Sequence, residues 1–152
     1  MTATMDEVRQ ALEPEEPNYA QAASLGPTAL PHLAELIESD RMLAPKAVYL
    51  AGVISSPDSA RVVLKGARSS DPGVRVATAG TARYLPSDAA SEIFLTLLGD
   101  DHAGVRKAAL LSIPRSPSRD IRARIATLAQ SEQDATLRAI AKEAHERLSQ
   151  LQ

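Results

Sequence analysis

The sequence has no cysteine and no tryptophan, and only one phenylalanine and three tyrosines in 152 residues. Without cysteine there is no disulfide, no thiolate nucleophile, no CxxC redox pair and no Cys-ligated zinc or iron–sulfur centre. With aromatics at 3%, apolar mass must come from Ala, Leu, Val and Ile, which favours small-residue helix packing over an all-β core. No apolar run approaches the roughly 18 residues of a membrane span, and the start MTATMDEVRQ is acidic with no hydrophobic segment behind it. A cytoplasmic chain with no membrane partner is expected. The motifs of much familiar chemistry are also missing: there is no GxSxG elbow, no GxxxxGK(S/T) phosphate loop and no GxGxxG turn.

What is present suits one folded domain. The chain is 44% hydrophobic and 24% charged, enough apolar surface for a single core at this length. The net charge of −2 conceals an asymmetry: residues 1–40 carry eight acids and one Arg, and the remainder carries 16 bases and 11 acids.

A repeat organises the chain. Pro27, Pro57, Pro86 and Pro117 lie 30, 29 and 31 residues apart, each ahead of an apolar segment. Proline suits the first turn of a helix, and Ser56 and Ser116 are candidate N-cap hydroxyls. After each proline, apolar residues fall at helical spacing: Leu30, Leu33, Ala34, Ile37; Ala60, Val63, Leu64, Ala67; Ala90, Ile93, Phe94, Leu97, Leu98; Ile121, Ile125, Leu128, Ala129. A polar turn with an acid follows, and a second helix opens around Lys46, Arg75, Arg106 or Arg138. A weaker pair precedes them, Ala3 to Leu12 and Asn18 to Leu25, broken at Pro14-Glu-Glu-Pro17. The pattern predicts ten helices in units of about 30 residues, approximately 1–25, 26–55, 56–85, 86–115 and 116–152. The last helix carries Leu137, Ile140, Ala141, Ala144, Leu148 and Leu151 on one stripe and charges on the other, as a terminal cap should.

Asp71-Pro-Gly-Val-Arg75-Val-Ala77 and Asp100-Asp-His-Ala-Gly-Val-Arg106-Lys-Ala108 resemble the acid, turn, Val-Arg, Ala pattern of the bacterial HEAT-like repeat family, the phycobilisome-lyase type. The resemblance covers about residues 17–150 and implies an all-α, right-handed α-α superhelix of about five helix pairs. It departs at Pro45-Lys46, which replaces Val-Arg, and at Ser69, which replaces the acid. It says little about function, since such repeats serve unrelated tasks. Two alternatives come with it: a subunit resembling the HEAT-like bilin lyases, and a nucleic-acid binder resembling the HEAT-like alkylpurine glycosylases.

Spacing of six residues joins Asp40 to Lys46, Asp100 to Arg106 and Glu132 to Arg138, so each acid is expected to cap or pair near the start of its second helix and to hold the stack together. Ala77 and Ala108 are expected where helices approach closely. Asp100-Asp101-His102 is read as a solvated turn, since neighbouring residues on a tight turn point apart. Glu13, Glu15 and Glu16 are read as a solvated loop, and Lys142 with Glu146 as an i, i+4 pair. No cofactor, metal or catalytic residue is assigned, and the chain is expected to be no enzyme.

Arg61, Lys65 and Arg68 form one basic stripe, and Arg115, Arg119, Arg122 and Arg124 crowd another helix start. With a pI of 5.9 and no aromatics among them, nucleic acid is the lesser reading and a protein partner the better one. Second helices line the concave side of a helical solenoid. Their outward positions are expected to be Val76, Ala79, Gly80, Arg83, Lys107, Leu110, Leu111, Ala139, Lys142, Glu143 and Glu146, of which Arg83, Lys107, Lys142, Glu143 and Glu146 are the candidate partner-binding residues. The chain itself is expected to be a monomer or a weak homo-oligomer.

Overall fold

The computed structural model describes residues 2–151. It is all-helical, with ten α-helices: α1 (Met5–Leu12), α2 (Tyr19–Ala22), α3 (Leu30–Ser39), α4 (Ala44–Ile54), α5 (Ser59–Ala67), α6 (Pro72–Thr81), α7 (Ser87–Leu98), α8 (Ala103–Ser112), α9 (Arg119–Ser131) and α10 (Ala135–Ser149). No strand occurs among the described residues, and no helix there is long and apolar enough to cross a membrane. Short 3-10 turns extend α2 (Ala23–Leu25), lead into α3 (Pro27–Ala29) and extend α6 (Ala82–Tyr84).

The helix starts follow local chemistry. Thr4 and Glu7 form a reciprocal capping box on α1. The side chains of Asn18, Asp71, His102, Ser118 and Asp134 each accept a main-chain N–H in the first turn of their helices. Ser56 and Ser116 are not the caps that the sequence suggests. The residue before a proline disfavours the helical region; α5 opens two residues beyond Pro57, and the Ser56 hydroxyl accepts from Asp58 N–H. Ser118 caps α9.

The helices pack by a simple rule. Every next-but-one pair, from α1 with α3 to α8 with α10, is in contact, and most neighbours in sequence are too. Odd and even helices thus form two rows. One buried apolar cluster joins them: Leu33, Ile93, Phe94, Leu97, Leu98, Ile121, Ile125 and Leu137 from the stripes read in the sequence, together with Leu36, Val48, Leu50, Val74 and Val105. Leu151 departs from the expected stripe; it follows the last turn of α10 and is 61% exposed.

Ala77 and Ala108 are half-buried, and Ala108 packs against the core. Close approaches occur at two glycines. A Cβ on Gly66 of α5 would collide with Thr78 Oγ1 and lie 2.8 Å from Val48 Cγ2, and one on Gly52 of α4 would collide with the Thr81 methyl. Ala79 and Leu110, expected on the outer face, are 0% and 2% exposed. They belong to the core because even helices bury sides toward both their own unit and the next.

One arginine–carboxylate contact spans each successive junction. Arg9 donates to Asp40 (2.9 Å) and Arg41 to Asp71 (3.3 Å). Arg75 forks onto Asp100 (2.8 and 3.0 Å) and Arg106 onto Glu132 (2.9 and 2.7 Å). In these four the base comes from the earlier unit; Lys65, which meets Glu38 at 2.8 Å, runs the other way. The four contacts correct the expected pairing within one turn: Arg106 and Arg138 each donate to the main-chain carbonyl, not the carboxylate, of the acid six residues before (2.9 and 2.8 Å). Lys46 reaches back to the carbonyls of Leu12 and Pro14. The carboxylates are turned elsewhere, because Asp40, Asp100 and Glu132 each accept N–H groups of their own turn and present their free side to the preceding unit.

These contacts set the charge states. Burial works against ionisation of Asp100, yet the Arg75 fork holds its carboxyl below the usual range. The Arg106 fork does the same for Glu132, whose side chain is 4% exposed. Main-chain N–H groups and Arg9 lower Asp40.

Candidate functional site

The five residues singled out from the sequence are all exposed, but they do not form one cluster. Arg83 lies in the 3-10 turn after α6, a turn that packs on α4, α6 and α7. Lys107 is on α8, and Lys142, Glu143 and Glu146 are on α10, which packs on α8 and α9. Both α6, which the Arg83 turn extends, and α10 pack on α8. Lys142 and Glu146 close no ion pair among the described residues.

Arg83 instead joins a group that sequence reasoning passed over. Its guanidinium lies 4.9 Å from the centre of the Tyr84 ring and donates to the Tyr84 hydroxyl (3.0 Å). The Tyr84 and Tyr49 hydroxyls share a hydrogen bond of 2.7 Å, and the two rings meet at 62° with centroids 5.5 Å apart. Tyr19 meets Tyr49 edge-on, with centroids 4.5 Å apart. All three tyrosines of the chain are here, one each from α2, α4 and the turn after α6. They are half-buried. Hydrogen bonds from Tyr49 and Arg83 lower the Tyr84 hydroxyl, whereas Tyr49 is raised, first by its bond to Tyr84. The signal was available: residues 19, 49 and 84 are 30 and 35 apart, close to the repeat, in helices otherwise built of aliphatic residues.

The rows differ in charge. Helices α2, α4, α6 and α8 and the turn after α6 carry Lys46, Arg75, Arg83, Arg106 and Lys107 and no Asp or Glu. Lys46, Arg75 and Arg106 are occupied at the junctions; Arg83 and Lys107 contact no carboxylate among the described residues. Val76 (39%) and Leu111 (66%) are exposed on the same helices.

The odd row is different. Arg61 pairs with Asp58 and Lys65 with Glu38, both exposed. Arg122 is no free cation for a ligand: it is half-buried and donates to the carbonyls of Pro117 and Leu148. In the turn before α8, Asp100 is taken by Arg75, and His102 Nδ1 accepts from Gly104 N–H. Glu13, Glu15 and Glu16 are exposed. Open grooves lie at the two ends of the protein, one lined by Glu7, Gln10, Asn18 and Gln21, another of about 650 Å³ by Ile113, Arg115, Arg147 and Leu151.

The chain matches no protein-family model and no curated protein sequence.

Proposed function

We propose that this chain is a non-enzymatic helical-repeat scaffold, a right-handed α-α superhelix of five helix pairs of the bacterial HEAT-like kind, that binds another protein along its even helices. The next-but-one contacts of both rows support the stacked-repeat reading. The observation that carries the binding reading is the even row up to α8: a tyrosine–arginine cluster, exposed Val76 and Leu111, and no acid on α2, α4, α6 or α8. Tyr and Arg are the side chains that most often anchor protein interfaces, with apolar contacts beside them.

The test is affinity capture from the native host with three forms of the protein, read by mass spectrometry. Wild type should retain a specific protein. Arg83→Glu with Lys107→Glu should lose it while the helical content stays unchanged, since both side chains are exposed. Arg61→Glu with Lys65→Glu and Arg119→Glu, on the odd row, should retain it. Salt-dependent recovery of nucleic acid, abolished by the odd-row changes alone, would replace this reading with the nucleic-acid one.

A further inference from the structure

The hydroxyl and guanidinium groups of the tyrosine cluster do not balance. Tyr49 and Tyr84 bring two hydroxyl hydrogens, and only one can lie between their oxygens, 2.7 Å apart. The second points away from the pair, whichever hydroxyl donates. Arg83 spends one N–H on the Tyr84 oxygen, and a guanidinium has five. Tyr19 makes no hydroxyl hydrogen bond among the described residues. The group has donors to spare at a half-buried aromatic surface, with no carboxylate of its own to take them.

The even helices from its own unit to the next carry the same sign, while the acid-bearing helices packed on them are α7 and α10. No carboxylate is present on α2, α4, α6 or α8, and the next unpaired cation, Lys107, is on α8, which packs on α6. The odd row and the first 40 residues hold most of the acids. An acceptor that is anionic and planar matches such a fork best.

We propose that Arg83, Tyr84 and Tyr49 receive a carboxylate from an acidic segment of the partner protein, with Lys107 holding a second acid and exposed Leu111, one turn further along α8, an apolar side chain. This deepens the protein-binding reading and rests on it. A nucleic-acid occupant fits less well, because the rings pack edge to face on one another and do not form an open stacking platform. Two free cations are also few for tracking a phosphate backbone.

The chain offers its own reporter. It has no tryptophan, and every tyrosine is in the cluster, so tyrosine fluorescence reads this site alone. The probe is a synthetic peptide of Glu, Asp and Leu without aromatic residues, titrated into the full chain. A saturable change with Kd below about 1 mM is expected, weakened at least fivefold by Arg83→Gln and by Lys107→Gln, and left in place by Arg61→Gln. Tyr49→Phe, which keeps the ring and removes the hydroxyl, should weaken it too, so the result does not hang on one variant's folding. A matched Lys/Leu peptide should give no saturable change.

Absence of saturation with the acidic peptide, equal affinity in Arg83→Gln, or tighter binding of a single-stranded oligonucleotide would overturn the proposal. If the captured host protein still depends on Arg83 and Lys107 while the peptide does not bind, the carboxylate assignment alone falls. If capture ignores both residues, the even-row reading falls with it.

Discussion

Two glycines with opposite surroundings show how local contact decides the effect of a single methyl group. Gly66 faces Thr78 and Val48 across the α4, α5 and α6 contact, so Gly66→Ala should cost about 1–3 kcal/mol. Gly80, on α6, has no heavy atom within 4 Å of the added carbon. Gly80→Ala should therefore gain about 0.5–1 kcal/mol from helix propensity. Urea denaturation of both variants checks the pair, and equal effects would place the close approach elsewhere. The sequence points to small residues at tight contacts but not to which ones, since Ala77 and Gly66 look alike until their neighbours are known. The tyrosines were hidden for a similar reason: residues 19, 49 and 84 meet only because three separate elements stack.

Helices were the most legible feature. Most carry a start signal and an apolar stripe, so ten could be read from the chain, from the Thr4 box to the long α10. Because the cap on α1 is a local interaction, Thr4→Ala should cost α1 about 1 kcal/mol. Native-state amide exchange in α1 should then quicken roughly fivefold at that energy, while α7 and α9 keep their rates. What joins one unit to the next was less legible. The acids and bases were identified, but their pairing is between residues 25 to 31 apart in sequence, and spacing within one turn points to the wrong partners. The carboxylates turn toward their own N–H groups first, and that local choice leaves them facing the preceding unit.

The junction pairs also govern how the protein responds to acid. Asp40, Asp100 and Glu132 are held below the ordinary carboxylate range in the folded state. A lowered folded pKa gives stability that is present above the unfolded pKa, roughly 4, and is lost as pH falls through the folded value. The urea midpoint should therefore be nearly level from about pH 7 to 5 and decline below about pH 4. Glu132→Gln should flatten that decline while lowering stability at neutral pH, because Arg106 then loses its anionic partner. A Glu132→Gln curve parallel to wild type would remove Glu132 from the acid response.

At the level of the whole molecule, one arginine from the earlier unit meets one acid from the later at each junction, so successive units are tied together in a common direction. That arrangement consumes most of the charge near the turns. It leaves the even row up to α8 with Arg83, Lys107 and the tyrosines, and it is this remainder that is read as the binding surface. Hydrogen–deuterium exchange on the full chain, alone and in complex with the protein it captures, tests that reading most directly. Added protection should appear in α4, residues 82–84 and α8, with α3, α5 and α7 unchanged. Protection confined to the odd helices, or to the acidic loop at Glu13, Glu15 and Glu16, would contradict the account.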